Sequence, residues 1–342
     1  MNQKSWQRPS IIFLMLLTVL FFYPISNTWA AEEGHSPQLE DKNRMALYYK
    51  TSALTHVQWP LLAAIDQFER NCRRARKDLS DPTGLIGISI DPNVWTGPLN
   101  PNKKDTDPFS IMLFEGLGKD GNGDGKANPN DSEDVLYSIA TYIASYGTDE
   151  DSEKEAIWNY YHRDQSVTVI FEIERLYNHF HSIDLSAHGF PVPLRSNYDY
   201  KSTWGASRGW GGRRIHEGTD IFANYGTPVR ATAYGVIELK GWNKFGGWRV
   251  GIRDTNNLYH YFGHLGGFEK GIHVGSIVKP GDIIGYVGST GYGPPGTSGK
   301  FPPHLHYGIY KYNGKTEYSF DPYPSLRRWE RQAYQERRKK KN

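Results

Sequence analysis

The chain is 342 residues long, with 38% hydrophobic, 23% charged and 14% aromatic residues, a composition that excludes a disordered polymer and an all-membrane protein. At roughly 100 to 200 residues per domain, this length predicts two domains plus tails. The net charge of +3 hides an excess of +6 in residues 327–342, which leaves −3 for the remainder and excludes a nucleic-acid-binding domain, whose basic residues would spread over a folded face.

In chain order, Lys4 and Arg8 precede an uncharged run over 11–23, then Pro24 and small residues around Thr28 and Ala30. This predicts a secretory signal over 1–30, cleaved after Ala30 or kept as an anchor. The run is short of the roughly twenty residues a spanning helix needs. Residues 31–43 read as a polar linker. Over 44–181 the pattern is helical: Leu61, Leu62, Ile65 and Phe68 line one face behind Pro60, and further helices are predicted at 134–146, 153–161 and 166–180. Pro191 and Pro193 place a linker at 182–199. From 200 to 326, Gly-rich turns separate short alternating runs at 236–239, 248–253, 259–262, 283–287 and 305–310, which predicts a mostly-β domain. Residues 327–342 form a basic tail, expected as a solvated disordered end. The single cysteine, Cys72, excludes an internal disulfide and a multi-cysteine metal site.

The chemistry concentrates in the β-rich half. His216 and Asp220 are four residues apart, too far in an extended strand to meet one ion, so the chain must turn, and Gly218 permits the turn. In Pro302-Pro303-His304-Leu305-His306 the prolines oppose a helix and the i, i+2 spacing puts both imidazoles on one strand face. His216, Asp220 and one of His304 or His306 make a two-His, one-carboxylate set that fits zinc with a fourth position open. The other imidazole can then move protons, and His264, in Tyr261-Phe262-Gly263-His264-Leu265, can hold or polarise a developing oxyanion. His260 and His273 match no motif position, although simple alternation places His260 on the strand face of His264. The Gly291 to Gly299 loop reads as a surface connection or, from its closeness to His304, a groove wall.

These segments, H-x-x-x-D, a later Y-x-H-L-like stretch and H-x-H, resemble the lysostaphin-type zinc metalloendopeptidases of bacterial cell walls over about residues 200–324. The resemblance implies a β-sheet core, zinc on His216, Asp220 and His306, and catalytic roles for His304 and His264. More narrowly, Ser202-Thr203-Trp204-Gly205 through Phe301-Pro302-Pro303-His304-Leu305-His306 is similar to the sporulation L-Ala-D-Glu endopeptidases of endospore-forming bacteria, which implies cleavage of the first bond of the peptidoglycan stem peptide.

In the helical half, residues 59–71 resemble the catalytic helix of lytic transglycosylases, with Glu69 in the place of the glutamate that protonates the glycosidic oxygen. Arg70 replaces the family's serine and is expected to lower the Glu69 pKa, and Ile88 and Ser89 stand where the family has Met-Gln. The domain is therefore expected to be a degenerate glycan-binding relative, with glycan cleavage by Glu69 as the alternative. Asp120, Asn122, Asp124, Gly125, Asn128 and Asp131 have calcium-loop spacing. Comparable loops in transglycosylase relatives imply Ca2+ there; without metal the string is a flexible turn.

The sequence thus predicts a multi-domain α and β protein: an N-terminal mostly-α lysozyme/transglycosylase-like domain followed by a mostly-β zinc peptidase domain. The expected function is that of a secreted zinc endopeptidase acting on peptidoglycan, in the cell wall or spore envelope. A catalytically inactive wall-binding scaffold and a two-activity hydrolase led by Glu69 are the alternatives. The basic tail carries the further expectation of affinity for an anionic wall polymer or membrane surface.

Overall fold

The computed structural model describes residues 37–80, 82, 84–209 and 214–340. The secretory signal expected over 1–30 lies outside them. No helix among the described residues is long and apolar enough to cross a membrane.

The first part is helical: α1 (Pro37–Thr55), α2 (Trp59–Ala75), α3 (Pro92–Thr96), α4 (Pro108–Leu113), α5 (Ser132–Ala144), α6 (Glu150–Tyr161) and α7 (Asp164–Phe180). The expected linker at 31–43 is corrected here, since α1 already begins at Pro37. Its buried stripe, Arg44, Leu47, Tyr48, Thr51 and Thr55, has helical spacing but is largely polar, with Arg44 reaching the buried Asp66 carboxylate at 3.0 Å, so no apolar periodicity marks it. On α2, Leu61, Leu62, Ile65 and Phe68 are all buried, as the spacing predicts. Asp131 starts α5 by accepting the N–H groups of Glu133 and Asp134.

The second part comprises β1 (Tyr198–Tyr200), β2 (Ser207–Arg208), β3 (Arg214–Ile215), β4 (Thr219–Ala223), β5 (Pro228–Arg230), β6 (Gly235–Asn243), β7 (Gly247–Asp254), β8 (Leu258–Phe268), β9 (Ile277–Val278), β10 (Ile283–Val287), β11 (His304–Tyr312) and β12 (Glu317–Phe320), followed by α8 (Tyr323–Lys339). The main sheet is antiparallel in the order β1-β4-β11-β8-β7-β6-β9, with β5, β10 and β12 attached beside this path. Its inner face buries Ile221, Val250, Ile252, Phe262, Leu305, Tyr307 and Ile309. The alternation of apolar and polar residues along β8 and β11 is what makes one face a core and the other a site.

Two hydrophobic cores result, one in the helices and one on the sheet, within a single compact unit from Pro37 onward. They are stitched together by buried polar contacts: the Asn71 amide of α2 donates to Thr255 O and Asn257 Oδ1 at 2.9 Å, and Ser166 of α7 meets the Tyr312 hydroxyl at 3.1 Å. The segment expected as a linker at 182–199 is built into the fold rather than left free. Leu185, Phe190 and Val192 are buried, and Gly189 N–H and Arg230 N–H form backbone bonds to Thr232 and Pro191.

The basic tail is also corrected. Residues 323–339 are α8, anchored by buried Leu326 and Trp329, and by Glu330, which accepts the Tyr198 and Tyr200 hydroxyls at 2.6 and 2.8 Å. The run of basic residues masked the i, i+3, i+4 spacing of Leu326, Trp329 and Glu330 that a helix face requires.

Candidate metal centre and catalytic cleft

Strands β4 and β11 run antiparallel with Asp220 opposite His306 and Phe222 opposite His304. Directly opposed residues bring their side chains within contact, so His306 Nδ1 stands 3.0 Å from Asp220 Oδ1. His216 enters from the turn between β3 and β4, its Nε2 2.8 Å from His306 Nδ1 and 3.0 Å from Asp220 Oδ1. Gly218 is needed here for space rather than for a left-handed turn. A Cβ at that position would lie 2.6 Å from His306 Cε1 and 2.6 Å from the Tyr307 carbonyl oxygen.

The protons show what this cluster suits. His216 Nδ1 is 2.9 Å from the Thr203 carbonyl, which can only accept, so the N–H is on Nδ1 and Nε2 presents a lone pair. Three electron-rich atoms thus converge within 3.0 Å of one another, an arrangement that calls for a cation between them. Burial alone would push the Asp220 carboxyl up, but the close imidazoles of His216, His306 and His304 hold it well below the carboxylate range. Burial also lowers His306 toward its neutral, ligating form. Two imidazoles and one carboxylate, with the outer nitrogen of His216 oriented by a carbonyl, fit zinc.

His264 reaches this site through a β-bulge. Trp248 of β7 pairs with Leu265 and Val250 with Phe262, so the single residue Arg249 faces two residues of β8, Gly263 and His264. His264 sits at φ 61°, a conformation that costs a non-glycine residue energy and marks a functional constraint. The bulge breaks the alternation that would have put His264 on the face of His260. His260 points instead into the core, its Nδ1 2.7 Å from the Tyr307 hydroxyl, and the expectation that the two share a face is corrected. His264 and His304 meet with ring centroids 4.8 Å apart. His304 Nδ1 donates to Pro302 O at 2.8 Å and His264 Nδ1 to Thr290 O at 2.7 Å. Both therefore present Nε2 as a proton acceptor. Burial, then the neighbouring imidazoles of His304 and His306, push His264 down to about 3, so its ring is neutral and turns the Nε2 lone pair away from the Thr290 contact.

His216, His264 and His306 open onto a cleft of about 380 Å³ walled by Phe245, Tyr261, Tyr292 and Tyr310 and by two cations, Arg214 and Arg249. The Gly-rich loop is a groove wall: Tyr292 stacks on His264 at 6.0 Å and accepts from Arg214 Nη2 at 3.0 Å. The Nε atoms of Arg214 and Arg249 are buried without an acceptor among the described residues. Sequence reasoning missed both arginines, as it missed the carbonyls of Thr203, Thr290 and Pro302. A backbone acceptor has no residue-type signature, and the arginines face the cleft only because β3 and β7 border it.

In the helical part, no three His, Cys, Asp or Glu ligand atoms converge at the acidic loop among the described residues, so the calcium expectation gains no support there. Asp120 accepts Gly123 and Gly125 N–H, Asn122 accepts Asp124 N–H, Asp124 accepts Lys126 N–H, and Asp131 caps α5. The loop's oxygens are spent on its own backbone. Glu69 accepts the Tyr161 hydroxyl at 2.7 Å and lines a cleft with Ser89, Asp91, Tyr142 and Tyr160. Arg70 does not act on it; its guanidinium pairs with Asp66 and Glu40 at 3.3 Å each. Burial raises the Glu69 pKa, against the opposing effects of the Tyr161 hydrogen bond and Arg73, the reverse of the shift expected from Arg70.

An antiparallel sheet that carries a two-His, one-carboxylate centre beside two basic imidazoles defines a metal-dependent hydrolase. The model of peptidase family M23 matches residues 214–320. The L-Ala--D-Glu endopeptidase of Bacillus subtilis (strain 168) is 60% identical over 328 residues, covering 96% of this chain and 99% of that protein. Lysostaphin of Staphylococcus staphylolyticus is 36% identical over 115 residues, 33% of this chain and 22% of its own length. The solved structure of lysostaphin from Staphylococcus simulans covers 42% of this chain and 56% of its own at 31% identity, with a TM-score of 0.34. The chain belongs to peptidase family M23.

Proposed function

We propose that the protein is a secreted zinc endopeptidase that hydrolyses the L-Ala–D-Glu bond of peptidoglycan stem peptides during cell-wall or spore-cortex maturation. The observation that carries the bond assignment is the pair Arg214 and Arg249, two cations that line the cleft beside His216 and His264. D-Glu is joined to the next stem residue through its γ-carboxyl, so its α-carboxylate stays free beside the scissile bond, and paired guanidiniums complement it. The name of the Bacillus subtilis relative points the same way. Export follows from the signal pattern at 1–30 and from a substrate that lies outside the cytoplasm. The basic last turn of α8, with Arg337, Arg338 and Lys339, offers a surface for an anionic wall polymer or membrane.

His216, Asp220 and His306 would hold the zinc, which supplies a Lewis acid for the scissile carbonyl and a water acidic enough to attack at neutral pH. His304, its ring fixed by Pro302, takes the attacking water's proton on Nε2 and delivers it to the leaving amine of D-Glu. His264, held by Thr290, orients the water through its own Nε2. Tyr292, Tyr261 and Phe245 wall the peptide from bulk water, and the arginines fix the free α-carboxylate of D-Glu, so that the bond is presented in one register. Digestion of purified peptidoglycan followed by mass analysis tests this reading. The expected products carry a new D-Glu amino terminus with L-Ala left on the lactyl group; fragments cut at any other bond would overturn the assignment.

A second reading is favoured by Glu69, whose pKa is raised by desolvation, and its aromatic cleft: cleavage or retention of the glycan strand, with Glu69 as the acid. The same digest decides it. Glycan fragments released by the wild type and absent with Glu69→Gln establish cleavage, and their absence from both leaves glycan binding.

A further inference from the structure

Behind the sheet, on the face opposite the cleft, His188, Asp254 and His260 form a second two-His, one-carboxylate group. We propose that this group is a second, structural site for a divalent transition metal of the zinc class.

Proton bookkeeping carries the argument. His188 Nδ1 lies 2.7 Å from the Ser186 carbonyl, which can only accept, so neutral His188 has its N–H there and turns the lone pair of Nε2 toward the Asp254 carboxylate, 3.6 Å from Oδ2. A lone pair aimed at a buried anion is repulsive unless a cation stands between them. His216 shows the same arrangement at the first site, with Thr203 in the place of Ser186.

His260 completes the set. Its Nε2 is 3.2 Å from the same Asp254 Oδ2, while Nδ1 meets the Tyr307 and Thr232 hydroxyls at 2.7 and 3.0 Å. Hydroxyls accept as readily as they donate, so the proton can rest on Nδ1 and leave Nε2 to ligate. Asp254 Oδ1 is taken up by the N–H groups of Asn256 and Leu258 at 2.7 and 2.9 Å, which fixes Oδ2 as the ligating oxygen. Ligand atoms around a tetrahedral ion with bonds near 2.05 Å are about 3.3 Å apart, and the observed 3.2 and 3.6 Å separations bracket that edge. The Asp254 and His260 side chains are 1% and 0% exposed, whereas His188 is 16% exposed, so the ion enters past His188.

The site joins three separate parts of the chain. His188 belongs to the segment between the helices and the sheet, Asp254 and His260 to adjacent strands, and the His188 ring stacks on Trp329 of α8 at 4.9 Å and 7°. A metal there clamps the crossing segment and the C-terminal helix to the back of the sheet. It takes no part in hydrolysis.

Metal analysis of the full chain, equilibrated with zinc and freed of loose ions by gel filtration, tests this. Wild type is expected to hold about two zinc ions, and His188→Ala one, with its peptide hydrolysis retained. His188→Gln, which keeps a planar surface against Trp329, serves the same count if the alanine variant folds poorly. Wild type that holds no more zinc than these variants would overturn the proposal, and His188 would then be an imidazolium paired with Asp254. The comparison does not depend on the first site, because that site is intact in every protein compared.

Discussion

His264 and His304 face each other with ring centroids 4.8 Å apart and planes inclined by 64°, although strict alternation along β8 would have turned His264 into the core. The Gly263–His264 bulge opposite Arg249 makes the meeting. Bulges re-aim side chains in this way beside active sites, and here the re-aimed group is a base.

His264→Ala should therefore retain zinc and lose hydrolysis, by about a hundredfold. His304→Ala should behave the same way, whereas His306→Ala should lose the metal of the cleft. Metal content and peptide turnover measured together separate these roles. Loss of the cleft metal in His304→Ala would mean that the roles of His304 and His306 had been exchanged.

Gly218→Ala should cost both stability and metal. The added Cβ meets the His306 ring and the Tyr307 carbonyl at 2.6 Å, and the carbonyl cannot yield. A loss of about 1–3 kcal/mol is expected from overpacking, together with weaker zinc binding as His306 is displaced. Denaturant melts and competitive chelation check the two effects.

Trp329→Ala tests whether the basic C-terminus is folded. With Trp329 5% exposed and stacked on His188, truncation should cost about 3 kcal/mol. A melting temperature equal to that of the wild type would return the segment to the solvated end that its charge suggests.

Glu153 gives a pH dependence. Its buried carboxyl is pushed up to about 7 by desolvation, then by Glu174, Asp149 and Glu150. The folded pKa lies above the unfolded value, so the native state keeps its proton longer. Wild-type stability should fall as pH rises from about 4.5 to 7 and level off above that. Glu153→Gln should therefore melt higher than wild type at pH 8, by on the order of 1–2 kcal/mol after discounting for solvent screening, with the gain vanishing near pH 4.5. Equal melting at both pH values would sink the idea.

Arg214→Ala and Arg249→Ala should weaken hydrolysis of stem peptides about tenfold or more each, acting chiefly on KM, since a charge-assisted bond to a carboxylate is worth about 1.5–3 kcal/mol. A stem peptide whose D-Glu α-carboxylate is amidated should be insensitive to both changes.

The sequence by itself determined the ligand types and the strands that carry them. His216, Asp220 and the His304/His306 pair were legible because a metal needs those side chains, and an i, i+2 pair on a strand must share a face; which of the pair ligates came only from the family resemblance. The helices with strong apolar periodicity, α2, α5, α6 and α7, were legible for the same local reason. Tertiary structure decided whatever depended on a partner distant in sequence. The His264 bulge appears only in the pairing of β8 with β7. Gly218 is required by the His306 ring, and the orienting carbonyls of Thr203 and Thr290 arrive from other segments. Burial raises the Glu69 pKa while Arg70 turns away toward Asp66 and Glu40, a choice that no local pattern encodes. Local periodicity reports which face of an element is apolar; it cannot report what the fold brings against the other face.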